Sequence, residues 1–106
     1  MLRWLLLALL ALFAAPLAVS PAAADCKADL VASQRALKAT AAAVEKVAGG
    51  TEAAKCDAHR KHYAAMLKFR DVLGRCDTGA SRDAHMAQLT TSIEDFKKKL
   101  PKGCKA

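Results

Sequence analysis

The chain has 106 residues, of which 54% are hydrophobic, and it carries four cysteines and a formal charge of +7. The first 24 residues supply 20 of the hydrophobic residues, which leaves 37 among the other 82, an ordinary share for a small globular domain. Size and composition exclude a multidomain protein, a transporter and a disordered tail. Residues 25–106 are therefore predicted to form one small domain.

The first 24 residues have the pattern of a secretory signal peptide. Arg3 gives a basic start, an apolar run extends from Trp4 to Val19, and Ala22–Ala24 supply the small residues that precede a cleavage site before Asp25. A retained membrane helix is less favoured, because this 16-residue run contains Pro16 and is shorter than the roughly 20 residues needed to span a bilayer. The sequence predicts a secreted protein, periplasmic in a Gram-negative source, with no transmembrane segment after cleavage.

Glycine and proline positions divide residues 25–106 into three segments of about 22, 24 and 20 residues. None alternates polar and apolar residues as a strand does, and their alanine, lysine, leucine and arginine content favours helix. The first segment ends at Gly49–Gly50. Its apolar stripe is thin, with much of it made of alanine, and consists of Leu30, Leu37, Ala41, Val44 and Ala48.

The second and third segments carry fuller apolar stripes. Thr51 is the predicted N-cap of the second helix and Ser81 that of the third. The second stripe consists of Ala58, His62, Met66, Phe69 and Leu73. The third consists of Met86, Leu89, Ile93, Phe96 and Leu100. Because the connections are only two to six residues long, neighbouring helices must run antiparallel, which predicts an all-α, up-down-up three-helix bundle.

The cysteines are predicted to form two disulfides, since four cysteines in an exported chain are typically paired. Cys56 and Cys76 lie near opposite ends of the second helix, roughly 30 Å apart, which is too far for a bond. A Cys26–Cys56 or Cys76–Cys104 bond would also join opposite ends of the bundle. The remaining pattern is Cys26–Cys76 with Cys56–Cys104. The spacing lacks the close cysteine pairs of a structural zinc site.

His59, His62 and Met66 form a candidate site for copper or another soft metal, because imidazole and thioether groups at helical spacing can share one face. His85 is excluded from it: if Cys56 is level with Cys104, His85 lies roughly 20 Å from His62. The same register brings Lys97–Lys99 and Thr40 close to the two histidines. The alternative is that both histidines lie at the boundary of the apolar stripe and hold no ligand.

Five lysines near the C-terminus form a predicted anionic-partner surface: Lys97, Lys98, Lys99, Lys102 and Lys105. Such a cluster could meet an anionic envelope surface or an acidic protein, although lysines in a last helical turn also complement the helix dipole. Nucleic acid is not expected for an exported protein without interleaved aromatic residues.

The sequence carries no motif that identifies a known family. It also shows no phosphate-binding glycine loop, paired carboxylates or haem-attachment motif, so no enzyme activity and no cofactor are predicted. The leading function is a non-catalytic interaction module of unknown partner. The alternative is a periplasmic metal-binding protein that uses His59, His62 and Met66.

Overall fold

A computed structural model describes residues 21–106 of the chain. This range contains three α-helices: α1 (Pro21–Lys46), α2 (Glu52–Cys76) and α3 (Arg82–Lys98). Two short connections, 47–51 and 77–81, make neighbouring helices antiparallel, so the predicted up-down-up three-helix bundle is confirmed. The predicted signal peptide, residues 1–24, lies outside the described residues except for Pro21–Ala24. Those four residues form the first turn of α1, where proline is well tolerated because the first N–H of a helix has no partner.

The connection between α1 and α2 contains the predicted cap. After Lys46 the chain makes a turn in which the Gly50 N–H donates to the Val47 carbonyl at 2.8 Å. Thr51 is extended, and its hydroxyl oxygen accepts from the Ala54 N–H at 3.1 Å. The Thr51 N-cap is therefore confirmed, and it satisfies one of the N–H groups that the start of α2 would otherwise leave unpaired.

The connection between α2 and α3 is organised by Asp77 more than by Ser81. Ser81 precedes α3 as predicted, but its hydroxyl makes no capping bond and its backbone (ψ 6°) is not extended as a capping residue requires. Asp77 instead accepts the Gly79 N–H on Oδ1 at 3.0 Å and contacts His85 Nδ1 through Oδ2 at 3.1 Å. One carboxylate thus shapes the loop and ties it to the first turns of α3.

The first turn of α3 is anchored on the last turn of α2. Arg82 donates to the Gly74 carbonyl from Nη2 at 2.8 Å and from Nε at 3.1 Å. Met86 lies against the same glycine, since a Cβ on Gly74 would be 3.1 Å from the Met86 Cε. The missing side chain at Gly74 therefore allows the close approach of α3.

Both predicted disulfides are present, and they close opposite ends of the bundle. The Cα atoms of Cys26 and Cys76 are 5.4 Å apart, and those of Cys56 and Cys104 are 5.6 Å apart. To reach Cys56, the chain turns back after α3 through Gly103, whose φ of 82° lies in the left-handed region that glycine adopts without steric cost. All four cysteines are paired.

The core of the described range is thin. Its buried apolar residues are Ala58, Met66, Val72 and Ile93. Within residues 21–106, α1 and α3 each pack on α2 but do not pack on each other. No helix in this range is both long enough and apolar enough to cross a bilayer. The bundle thus has α2 at its centre and depends on few large side chains.

Candidate functional site

The five C-terminal lysines lie at the end of the bundle closed by Cys56–Cys104, and we call Lys97, Lys98, Lys99, Lys102 and Lys105 the basic end. All five side chains are exposed. Lys97 and Lys98 finish the last turn of α3 and Lys99 caps it, whereas the other two flank Cys104. The disulfide therefore holds the basic end against the start of α2.

Acidic residues near the basic end do not contact its lysines in the part of the chain that the structure describes. Among residues 25–106, none of its lysines forms an ion pair. Two acidic residues at the start of α2 are already engaged within α2: Glu52 contacts Lys55 at 3.3 Å and Asp57 contacts Lys61 at 2.9 Å. Glu94 and Asp95 are exposed about one turn before the lysines. The basic end consequently presents its ammonium groups to solvent.

The opposite end, closed by Cys26–Cys76, is different because its charges are paired between elements. Arg75 on α2 contacts Asp29 on α1 at 3.1 Å, and Asp77 contacts His85 on α3 at 3.1 Å. The Gly79 N–H, followed by the His85 side chain, lowers the pKa of Asp77 below its ordinary value. Positive charge is therefore concentrated at the basic end and balanced at the other.

Two histidines lie beside the basic end, in a cluster we call the histidine junction: Thr40, His59, His62 and Phe96. The His59 ring stacks on Phe96 with centroids 5.4 Å apart, and the His62 ring meets Phe96 edge-on at 4.9 Å. His62 Nδ1 is 2.7 Å from the Thr40 hydroxyl oxygen. His62 on α2 thus contacts both α1 and α3, as the predicted proximity to Thr40 required.

A hydrogen bond fixes the tautomer of His59. His59 Nδ1 is 2.7 Å from the Lys55 carbonyl, which can only accept, so Nδ1 carries the proton and neutral His59 has an unprotonated Nε2. The Thr40 hydroxyl lies 2.7 Å from His62 Nδ1 and 2.8 Å from the Ala36 carbonyl. Because a hydroxyl can both donate and accept, it can pair with either tautomer of His62.

Burial, followed by the charge of neighbouring His59, lowers the pKa of His62 below its ordinary value. Water around the ring is partly replaced by protein atoms, which disfavours the charged imidazolium. Neutral His62 therefore contributes fully to the free energy of unfolding above pH 6.5, the ordinary pKa of a histidine in the unfolded chain. This contribution is lost as the pH falls below that value, because the unfolded chain then binds the proton more readily than the folded protein does.

Met66, the third candidate metal ligand, is a core residue, and His85, which the register excluded, lies at the opposite end of the bundle. Met66 is buried in the core at 9% exposure. His85 is bound to Asp77 at the opposite end of the bundle, so it does not join His59 and His62. Across the described part of the chain, no group of three or more histidine, cysteine or acidic side chains is arranged to hold a metal ion.

A groove between α2 and α3 was not predicted from the sequence. Its volume is about 360 Å³, and it is lined by Phe69, Leu73, His85, Gln88, Leu89 and Ser92. Three of these residues belong to the predicted apolar stripes but remain only half-buried. All six lining residues belong to α2 or α3, so α1 does not cover this groove.

No protein-family model, curated protein or solved structure matches this chain.

Proposed function

We propose that the protein is an exported, non-catalytic binding module whose basic end attaches to an anionic surface of the cell envelope. The observation that carries this proposal is the exposure of five lysines without an ion pair in residues 25–106. Export is supported by the pairing of all four cysteines, because disulfides persist in oxidising compartments such as the periplasm.

The chemistry of the basic end favours lipid headgroups over a folded acidic protein. All of its cations are lysines, whose ammonium groups are flexible point charges and lack the planar fork that arginine offers to a single carboxylate. Lys97, Lys98 and Lys99 are consecutive, so they point in directions about 100° apart around the end of α3. Cations spread in this way suit an extended field of phosphate charges better than one pocket.

Replacing the three lysines at the end of α3 by neutral residues tests the proposal. We expect Lys97→Gln, Lys98→Gln and Lys99→Gln together to lower the partition coefficient for phosphatidylglycerol vesicles about 100-fold at physiological salt, since each lysine near such a surface contributes about 1 kcal/mol. Co-sedimentation with vesicles measures this. The exported, oxidised protein should be used, with loss of the leader confirmed by intact mass, because the apolar leader would itself bind lipid.

A matched control keeps the net charge of that variant and places the changes elsewhere. Lys27, Lys38 and Lys68 are also exposed and lie along α1 and α2. Replacing these three by glutamine should weaken binding less than tenfold, because charges beyond a Debye length of about 8 Å at physiological salt are screened. Equal losses in the two variants, or no vesicle binding even at low salt, would contradict the proposal. Binding of polyglutamate without vesicle binding would identify an acidic protein as the partner class.

Metal binding by His59, His62 and Met66 is a second candidate, and the tautomer of His59 favours it. Metal-ligating histidines usually donate the other ring N–H to a carbonyl or similar acceptor, as His59 Nδ1 does here. Nearby lysines oppose a bound cation, which makes this the weaker candidate. If it is correct, calorimetric titration with Cu²⁺ or Zn²⁺ should give a dissociation constant well below millimolar, and His62→Ala should abolish that binding.

A further inference from the structure

We propose that the groove between α2 and α3 holds the apolar chain of a single anionic lipid, while the basic end binds the charged head group of the same molecule. This inference rests on the binding of anionic lipid by the basic end in the proposed function, and it names the ligand as one lipid molecule. It goes beyond attachment to a surface, because part of the ligand is then buried in the protein.

The groove has the size and lining of a small-molecule site. Its volume of about 360 Å³ lies within the range of roughly 300–1,000 Å³ that is typical of ligand pockets. Phe69, Leu73 and Leu89 supply its apolar surface, and all three are only half-buried. Within the described part of the chain, its lining includes no lysine, arginine or carboxylate. It therefore suits an uncharged hydrocarbon chain, since binding removes apolar surface of both partners from water.

The groove extends along α3 toward the basic end. Its lining on α3 runs from His85 to Ser92, seven positions or about 10 Å along the helix axis. Lys99, which caps α3 with a helical backbone, follows Ser92 by another seven positions. Seven residues make close to two turns, so Lys99 lies on nearly the same side of α3 as Ser92, about 10 Å further along. The helix thus aligns the end of the groove with a cation.

Apolar side chains continue from the groove to the basic end. Phe96 is half-buried, lies one turn after Ser92 and directly precedes Lys97. Leu100, also half-buried, follows Phe96 by one turn. A chain that leaves the groove at Ser92 therefore passes over apolar residues before its head group meets the lysines, whose flexible four-carbon stems let them reach it.

The charges along this path favour an anion at its end. Asp95 is exposed one turn before Lys99 and opposes a negative head group. Glu94 lies on the opposite side of α3 from Ser92, because two residues turn the helix by about 200°. The lysines of the basic end outnumber these acids and form no ion pair in residues 25–106. The complementary ligand is therefore hydrocarbon over most of its length and negative at one end.

Two alkyl phosphates that share a head group and differ in chain length test the inference. The exported, oxidised protein, with loss of the leader confirmed by intact mass, is titrated by calorimetry with decyl phosphate and with butyl phosphate, both below the concentration at which micelles form. We expect decyl phosphate to bind one to a chain and at least about 50-fold more tightly than butyl phosphate, because each methylene group removed from water contributes up to about fourfold.

Substitutions in the groove and at the basic end separate the two parts of the ligand. Leu89→Ala should weaken decyl phosphate binding about fivefold, because it removes apolar lining. Leu67→Ala is the matched control, since Leu67 is also half-buried but lies outside this groove, and it should change the affinity less than about twofold. Lys97→Gln, Lys98→Gln and Lys99→Gln together should weaken binding about tenfold, because each exposed ion pair contributes a few-fold at most.

A second pair of variants keeps the test independent of the fold of Leu89→Ala. Ser92 is an exposed residue of the lining, and Ser92→Glu places a carboxylate beside the bound chain. Thr91→Glu makes the same change of charge at the neighbouring exposed position, outside the lining. Ser92→Glu should weaken decyl phosphate binding more than Thr91→Glu does, because the chain cannot hydrogen-bond the carboxylate. Far-UV circular dichroism checks that each variant is folded.

The outcomes separate this inference from the proposed function. Absence of binding to both vesicles and decyl phosphate would overturn both. Vesicle binding without a preference for decyl over butyl phosphate would overturn the inference alone, and so would equal losses in Leu89→Ala and Leu67→Ala or an affinity that the lysine substitutions leave unchanged. A dimer in sedimentation equilibrium that decyl phosphate does not dissociate would assign the groove to a second copy of the chain. Decyl phosphate binding without vesicle binding would support the groove site and overturn attachment to a surface.

Discussion

Reducing both disulfides is expected to unfold the protein at physiological temperature. Each bond closes a long loop, with sequence separations of 50 and 48 residues. In the chain-entropy model, a bond that closes such a loop adds about 4 kcal/mol to the free energy of unfolding. Small domains have a total free energy of unfolding of about 5–15 kcal/mol. The four buried apolar residues of the described range are too few to replace the stabilisation that the two disulfides provide.

Thermal unfolding followed by far-UV circular dichroism, with and without excess reductant, measures the effect. The oxidised protein should unfold in one cooperative transition, and the reduced protein should show weak helicity without a sharp transition. Unchanged helicity and an unchanged Tm in excess reductant would show that the disulfides do not hold the fold together.

The two disulfides should not be equivalent when they are removed one at a time. Without Cys26–Cys76, α1 and α2 still share the Arg75–Asp29 ion pair and the Thr40–His62 hydrogen bond. Without Cys56–Cys104, the segment after α3 loses the disulfide that joins it to α2. Replacing that pair by alanine should therefore release the basic end, and it should weaken vesicle binding more than replacing Cys26 and Cys76 does.

Much of the register between neighbouring helices could be predicted from the sequence, because it follows from the lengths of the helices. A helix rises 1.5 Å per residue, so only one pairing of the four cysteines can bring bonding partners together in an antiparallel bundle. Once Cys56 is level with Cys104, the neighbours of His62 follow by counting. The contact with Thr40 and the separation from His85 both agree with that count.

The groove between α2 and α3 could not be predicted, because periodicity shows which face of a helix is apolar but not how the neighbouring helices are arranged around it. Small residues of α1 face α2, among them Ala32, Ser33 and Ala36. Larger residues of α3, including Met86 and Phe96, contact α2 from another side. The two flanking helices therefore do not pack on each other, and parts of the apolar stripes of α2 and α3 line a groove.

The hydrogen bonds of the connection between α2 and α3 also could not be predicted from the sequence. Ser81 has the residue type and position of an N-cap, yet its backbone conformation prevents the bond. The role of Asp77 depends on contacts across eight residues with His85, which composition and spacing do not reveal. Loop geometry is set by tertiary contacts of this kind, whereas helix periodicity is set by local repetition.

Ile93→Ala is expected to lower the free energy of unfolding by about 2–5 kcal/mol, the range observed when a buried isoleucine is truncated and leaves a cavity. Ile93 is 3% exposed and is the buried apolar residue that α3 contributes within the described range. Its loss should therefore remove much of the packing between α3 and α2. Urea denaturation of the oxidised protein, analysed by linear extrapolation, measures the change in the free energy of unfolding.

Leu89→Ala is the matched control, because Leu89 lies one turn earlier on α3 and lines the open groove. A half-buried side chain loses less apolar contact on truncation, so this variant should cost about 1 kcal/mol or less. Similar costs for the two substitutions would contradict the inference that the packing of α3 on α2 depends mainly on Ile93. The oxidised Ile93→Ala protein should still bind anionic vesicles within about twofold of the unmodified chain, because Cys104 continues to hold the lysines of the basic end in place. Stability would then depend on the packing of α3 against α2, and vesicle binding on the disulfide that holds the basic end in place.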